Sequence, residues 1–210
     1  MAELEEQLKK ALIELRKDKE RKFNQTVDLI VNLQKFDVKK SNMNIFINVP
    51  HKIKEKKVAG FLEVKSPYLD TITLDEFKKY NNKGMLKGMI KKYDFFIAQA
   101  SLMPSVATTF GRVLGPSGKM PSPQLGIIMN ADEKTIQELK SKIDNNIKIK
   151  VKESSIKIPI GKQNMKDEDI IENIVTVYNS IVKNMPRNKE NIKNIEIKFT
   201  MTKPQKILVK

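Results

Sequence analysis

The chain of 210 residues contains no cysteine, no tryptophan and a single histidine. Without cysteine there are no disulfides and no thiol nucleophiles, and one histidine cannot build the usual zinc sites or support much acid–base catalysis near neutral pH. No apolar run approaches the roughly 20 residues of a membrane span, and the first twenty residues lack the apolar core of a signal peptide. These absences predict a cytoplasmic protein with no catalytic residues, metal site, cofactor or membrane partner.

The sequence is instead rich in positive charge. Lys and Arg number 40 against 25 Asp and Glu, which gives a net charge of +15. Such an excess favours a polyanionic partner. Heat adaptation is the competing explanation, but it enriches glutamate together with lysine, and glutamate has not kept pace here.

Both ends of the chain alternate apolar and polar residues, as strands with one buried face do. Apolar residues at helical spacing predict a helix over the first twenty residues, and a second helix begins at Asp167. The alternation predicts open-faced strands over Phe23–Leu33, Asn44–Val49, Asn146–Lys152 and Ile195–Met201. The ends therefore predict an α+β domain whose sheet leaves one face available to a ligand.

The middle of the chain has a different pattern. Asp94–Ala100 is almost continuously apolar, as a strand covered on both faces is, and a helix is predicted from Pro104 to about Val113. Another buried strand, QLGIIM, precedes a helix over Glu133–Ile143. Alternating strands and helices predict a parallel sheet. We therefore predict a Rossmann-like, three-layer α/β domain at 57–146, inserted into a discontinuous α+β domain made of 1–56 plus 147–210, with two crossing strands side by side.

The charge is divided unevenly between these parts. Segments 1–57 and 148–210 together carry 28 basic and 16 acidic side chains, whereas 58–147 carries 12 and 9. Attraction to phosphates grows with the number of local cations that displace counterions. Polyanion binding is therefore expected on the outer, discontinuous domain.

One segment of the middle, GRVLGPSGKMPSP at 111–123, has the composition of a phosphate-binding loop. The Walker pattern G-x-x-x-x-G-K-[ST] fails twice, because Val113 stands where its first glycine belongs and Met120 stands where its hydroxyl belongs. We interpret the segment as a rigid surface loop, in which glycines permit tight turns and prolines stiffen them. It is a candidate secondary contact through Arg112, Gly115, Gly118 and Lys119.

Three separated motifs resemble one known family: RKFNQTVDLIVNL at 21–33, GRVLGPSGKMPSP, and IEIKFTMTKP at 195–204. Together, and in this order, they are similar to the L-one family of proteins of the mobile large-subunit stalk, in its archaeal form. That family has the same discontinuous two-domain architecture. The resemblance implies a ribosome-associated protein, monomeric when free, that binds large-subunit ribosomal RNA, contacts deacylated tRNA leaving the exit site and represses its own operon mRNA.

The resemblance also implies which residues face RNA. They are Lys22, Phe23, Thr26 and Asp28 on the first strand, and Asn194, Thr200 and Met201 near the end of the chain. If the first and last strands pair, Thr26 and Thr200 meet and offer two hydroxyls to ribose and base edges, while Lys22 and Lys203 contact phosphates. Phe23 shares the parity of inward residues, so its exposure requires a strand end or a bulge.

The sequence departs from the family at two positions. Thr202 stands where the family has glycine after the Thr-Met pair, and Ser117 stands where the central loop commonly carries arginine. Two other functions stay open: a nucleotide-dependent α/β enzyme that uses 111–123, and a nonspecific basic DNA-binding protein. Calorimetric ATP or GTP binding would support the enzyme, and equal affinity for duplex DNA and structured RNA would support the DNA-binding protein.

Overall fold

The computed structural model describes residues 2–19, 21–37, 44–129, 132–151 and 153–207. The described helices are α1 (Ala2–Arg16), α2 (Leu74–Phe77), α3 (Lys83–Lys92), α4 (Met103–Ser117), α5 (Glu133–Asn145) and α6 (Asp167–Asn184). The described strands are β1 (Thr26–Leu33), β2 (Asn44–Asn48), β3 (Val58–Phe61), β4 (Asp70–Ile72), β5 (Phe95–Gln99), β6 (Ile127–Ile128), β7 (Asn146–Lys150), β8 (Ser155–Lys162), β9 (Ile192–Phe199) and β10 (Gln205–Ile207). No helix in these ranges is long and apolar enough to span a membrane.

The chain divides into two compact units. An outer unit comprises Met1–Lys54 and Asn145–Lys210, and an inner unit comprises Glu55–Asp144. The bounds expected from sequence, 1–56 plus 147–210 and 57–146, differ from these by two residues at each crossing. The mixed α/β fold class is confirmed.

The outer unit is built on an antiparallel sheet in the order β10-β9-β1-β8. Alternate residues of β1 are buried, from Val27 to Leu33, while the residues between them are half-buried. Helices α1 and α6 contribute their apolar sides to the same core as these strands, including Leu8, Leu12 and Ile174. One face of the sheet is therefore covered, and the other carries mainly polar side chains: Thr26, Asp28 and Asn32 on β1, and Asn194, Glu196 and Lys198 on β9.

The two strands that lead into and out of the inner unit lie side by side, as predicted. Strands β2 and β7 pair antiparallel, with Ile47 opposite Ile147. The Val49 amide donates a further hydrogen bond to the Asn145 carbonyl at 2.8 Å. Both crossings are thus bonded to each other within the outer unit.

The inner unit contains a four-stranded sheet in the order β4-β3-β5-β6, and all of its pairings are parallel, as the strand–helix alternation predicts. Two separate apolar clusters flank it. One joins Phe61 and Phe96 to α3 and α4, and the other joins Ile97 to α5. Helices therefore cover both faces of this sheet.

The interpretation of 111–123 as a loop is wrong for its first half, because α4 continues to Ser117. Val106, Phe110 and Leu114 are fully buried at a spacing of four residues, and this apolar stripe holds the helix past its glycines. The helix ends at Gly118, whose φ of 72° is left-handed. The Lys119 amide then bonds the Leu114 carbonyl at 3.1 Å, which is the closure a glycine at this position permits.

Other element bounds also differ from the sequence predictions. Helix α1 ends at Arg16, and β6 is only two residues long. The first strand begins at Thr26 rather than Phe23, and the strand predicted as the last, β9, ends at Phe199 rather than Met201 and is followed by β10. Met201, which the resemblance places among the RNA-facing residues, lies beyond the end of β9 and is 56% exposed, although its position continues the inward alternation of that strand.

Candidate nucleic-acid interface

Strands β1 and β9 bring Thr26 and Thr200 together, as predicted. Their register places Val27 opposite Phe199, so the residues just beyond lie opposite each other. The Thr26 amide donates a hydrogen bond to Thr200 Oγ1 at 3.0 Å, and the Thr200 hydroxyl donates one to the Thr26 carbonyl at 3.4 Å. Thr200 therefore extends the hydrogen bonding between β1 and β9 by one residue, and its hydroxyl oxygen can still accept one more hydrogen bond. The Thr26 hydroxyl makes no hydrogen bond within the described residues.

The turn after β9 is fixed by a second group of hydrogen bonds. Thr202 Oγ1 accepts from the Phe199 amide at 2.9 Å, and the Thr202 amide donates to the Phe199 carbonyl at 3.2 Å. The backbone of Thr202 does not adopt a positive φ. The residue in place of the family glycine thus supplies a hydroxyl that holds the turn.

Gln25 is a buried residue that sequence reasoning missed. Its side chain is 2% exposed, and its Oε1 accepts from the Met201 amide at 3.0 Å. Its carbonyl accepts from the Gln163 amide at 2.8 Å. The sequence feature that could have identified Gln25 is a polar residue at an odd, inward-facing position immediately before β1. Gln25 therefore ties the turn that carries Met201 to the segment that carries Phe23.

Two large apolar side chains are exposed at this end of the sheet. Phe23 is 52% exposed and Met201 is 56% exposed. Phe23 lies before the first residue of β1, so the alternation that would turn its side chain inward does not apply to it. Its exposure was expected to require such a strand end. Because the Met201 amide is bonded to Gln25, two residues after Phe23, the two exposed side chains make this end of the sheet a candidate interaction site.

The surrounding surface is basic. Lys22 and Lys203 are exposed. An open groove of about 520 Å³ joins the end of α1 to the turn after β9, and its lining includes Lys17, Arg21, Met201 and Lys203, with Glu14 and Asp18 on the α1 side. Sequence reasoning missed Lys17 and Arg21. We call Lys22, Phe23, Thr26, Thr200, Met201 and Lys203 the strand-end surface.

Asp28 lies one outward position further along β1, opposite Lys198 on β9. Burial raises the pKa of the Asp28 carboxyl, and the positive charge of Lys198 partly offsets this rise. The carboxylate adjoins the strand-end surface on the polar face of the sheet. As an ionised group it can only accept hydrogen bonds.

Asn194 lies apart from the other predicted residues. It is opposite Asn32, six positions before Thr200, which corresponds to about 20 Å along the strand. Its Nδ2 donates to Glu196 at 3.3 Å, and its buried Oδ1 accepts no hydrogen bond from any residue the structure describes. Asn194 therefore cannot contact the same nucleotide as Thr200.

In the candidate secondary contact of the inner unit, the cation Lys119 is already bonded within the protein. The Lys119 ammonium donates to the carbonyls of Ile90 and Tyr93, both at 2.7 Å, and so closes the carboxyl end of α3. Arg112 and Gly115 lie exposed on α4, and Gly118 is half-buried at its end. Across the ranges the structure covers, no group of three or more acidic, histidine or cysteine side chains is placed to hold a metal ion.

Comparison with known proteins identifies the family. The model of the Ribosomal protein L1p/L10e family matches residues 15–203. The chain is 34% identical to the large ribosomal subunit protein uL1 of Nanoarchaeum equitans, over 97% of this chain and 98% of that protein. It is 32% identical to the proteins of the same name from Pyrobaculum islandicum (90% and 87%) and Thermococcus kodakarensis (87% and 88%). The chain therefore belongs to the ribosomal protein L1 family, and as such it is a non-enzymatic, ribosome-associated protein of the cytoplasm.

Proposed function

We propose that this protein is a structural component of the large ribosomal subunit that binds ribosomal RNA at the mobile stalk. The names of its relatives support the subunit, and the motif resemblance supports the stalk. The observation that carries the proposal is the strand-end surface, where exposed Phe23 and Met201 stand beside Lys22 and Lys203.

Each group of this surface has a distinct role in the proposal. The Phe23 ring stacks on an unpaired base, and such stacking on aromatic side chains contributes about 1–3 kcal/mol per base. Met201 packs beside it as a flexible apolar contact. The Thr26 hydroxyl and the open acceptor of Thr200 bond to 2′-hydroxyls or base edges, which distinguish RNA from DNA. Lys22 and Lys203 neutralise phosphates without reading sequence.

Asp28 and Asn194 extend the same face. Asp28 accepts hydrogen bonds from RNA donors next to the threonines, and its carboxylate discriminates against phosphates that would approach there. Asn194 contacts a nucleotide about 20 Å further along the sheet, where a donor from the RNA satisfies its Oδ1.

The two compact units are proposed as structural domains, the RNA-binding one at 1–56 plus 147–210 and the Rossmann-like one at 57–146. The free protein is proposed to be a monomer. The resemblance extends the function to exit-site tRNA, whose release the protein assists, and to repression of its own operon mRNA. An mRNA that presents the same bases to the strand-end surface competes with ribosomal RNA. Variants that lose affinity for ribosomal RNA therefore lose affinity for the mRNA in parallel.

Nuclease protection tests the proposal. The protein should protect one defined helix of large-subunit RNA, and Phe23→Ala combined with Met201→Ala should abolish that protection. Ile13→Ala combined with Met85→Ala is the matched control, since these side chains are 54% and 57% exposed elsewhere. Absence of any protected helix, or equal protection of duplex DNA, would contradict the proposal and favour nonspecific binding.

A further inference from the structure

A second basic groove lies in the outer unit, between β7 and β8. It is open, with a volume of about 410 Å³. Its lining includes the buried side chains of Ile149, Ile156 and Ile158 and a rim of Lys148, Lys150 and Lys157. Strand β7 pairs with β2, and β8 pairs with β1, so the groove separates two sheets of the same unit.

The rim of this groove is strongly cationic. Its three lysines face a single carboxylate, that of Glu153, among the lining residues. Lys150 and Lys157 are exposed. Burial lowers the pKa of Lys148, and the neighbouring charge of Lys150 lowers it further. An anion placed between Lys148 and Lys150 relieves the repulsion between their ammonium groups.

The position of one cation is fixed by an aromatic ring. Lys148 lies directly opposite Phe46 in the pairing of β2 with β7. Its Nζ is 5.2 Å from the centre of the Phe46 ring, within the range of a cation–π contact. Lys148 and Lys150 point to the same side of β7, about 7 Å apart along the strand. That distance is similar to the separation of neighbouring phosphates in a nucleic acid strand.

The groove is continuous with the polar face that carries Asp28. Lys157 is opposite Ile30 and Pro159 is opposite Asp28 in the pairing of β1 with β8. Residues directly opposite each other project from the same face. Thr26 is four residues from Ile30, so the strand-end surface and the groove rim are about 13 Å apart along β1.

We propose that the groove between β7 and β8 binds the phosphate backbone of the same RNA, beyond the segment bound at the strand-end surface. The lysine rim neutralises successive phosphates. This inference rests on the proposed function, because it extends the path of that RNA. It assigns the groove to affinity and leaves sequence discrimination at the strand ends.

The test uses the full-length protein and two transcripts. The shorter is the smallest RNA whose binding is lost in Phe23→Ala combined with Met201→Ala, and the longer adds flanking nucleotides on both sides. Lys150→Gln combined with Lys157→Gln should reduce the slope of log affinity against log salt by roughly two units for the longer transcript. Affinity for the shorter transcript should stay within about twofold. Lys9→Gln combined with Lys10→Gln on α1 is the matched control, because it removes the same charge from exposed positions.

If the groove variant and the control change the slope of log affinity against log salt equally, the effect comes from net charge alone and the inference is overturned. If the wild-type protein does not prefer the protected helix to random RNA, the proposed function itself fails, and this inference fails with it. A photo-crosslinker at position 150 in assembled large subunits gives an independent readout. Crosslinks to RNA support the groove assignment, whereas crosslinks confined to another protein overturn it.

Discussion

The strand-end surface and the segment 111–123 both carry lysine and methionine, but their polar groups are used differently. At the strand ends, internal hydrogen bonds are made mainly by backbone amides with Thr200, Thr202 and Gln25. Phe23 and Met201 stay exposed there. In the inner unit, half of the segment is helix, and Lys119 is bound to two carbonyls. A cation in a glycine-rich segment therefore marks an anion site only when its donors are not already used by the fold.

The strongest test of this contrast separates the two regions. A protein joining 1–56 to 147–210 through a short linker should fold and keep most of the RNA affinity, because it retains the strand-end surface and most of the net charge. The isolated fragment 57–146 should bind at least a hundredfold more weakly, which corresponds to about 3 kcal/mol. Filter binding with the protected helix measures both, after circular dichroism has established that each folds. High affinity in the fragment would reverse the contrast.

Thr200→Val should have the next largest effect. The substitution preserves volume but removes the acceptor for the Thr26 amide, an exposed hydrogen bond whose net contribution to stability is about 0.5–1.5 kcal/mol. In the proposed interface it also removes an acceptor for RNA, and an RNA donor left buried and unpaired costs about 1–3 kcal/mol of binding free energy. Cognate affinity should fall by roughly tenfold or more, and the melting temperature should fall as well. Thr26→Val, whose hydroxyl has no internal bond in the described structure, is the matched comparison and should leave the melting temperature nearly unchanged. Equal destabilisation by both variants would contradict this division.

Gln25→Met should act through Met201. Methionine fills a similar volume but cannot accept from the Met201 amide, so the turn after β9 loses one anchor at a cost of about 1 kcal/mol. We expect a several-fold loss of cognate affinity at a temperature well below unfolding, with random-RNA affinity retained. Gln163→Met controls for side-chain change nearby, since the bond of Gln163 to Gln25 uses only its backbone. Parallel losses on both RNAs would show that Gln25 serves stability alone.

Lys119→Ala should have the smallest effect on RNA binding and a clear effect on stability. Loss of two charge-assisted bonds to the end of α3 should lower the free energy of unfolding by about 1.5–3 kcal/mol. RNA affinity should fall by well under tenfold. Arg112→Ala, which removes an exposed cation of the same helix, should change neither quantity much. A loss of affinity as large as that of Thr200→Val would restore a phosphate-binding role for this segment.

The periodicity of single strands could be predicted from the sequence, and so could the pairing of the crossing strands. The alternation of Val27, Leu29 and Val31 specifies which face is buried, because each side chain belongs to one face or the other. The length of α4 does not follow from its glycines and proline, which disfavour helix. The buried apolar side chains Phe110 and Leu114 hold the helix together past these residues. Helix propensity is a small term beside such burial.

The site was predictable only in part. The meeting of Thr26 and Thr200 follows once the first and last strands pair. The role of Gln25 does not, because its partner is 176 residues away and a polar residue at an inward position has no unique partner in the sequence. The partners of Lys119 are likewise 26 and 29 residues distant. The separation of Asn194 from Thr200 depends on where β9 begins and ends.

We propose that the threonines of the strand-end surface carry specificity, whereas its lysines carry affinity. The direct measurement compares Thr26→Val with Lys22→Ala on cognate and random RNA at three or more salt concentrations. Thr26→Val should lower cognate affinity by about 1–3 kcal/mol and leave random-RNA affinity unchanged. Lys22→Ala should lower both together and reduce the slope of log affinity against log salt by roughly one unit. Equal losses on cognate and random RNA from Thr26→Val would contradict the account.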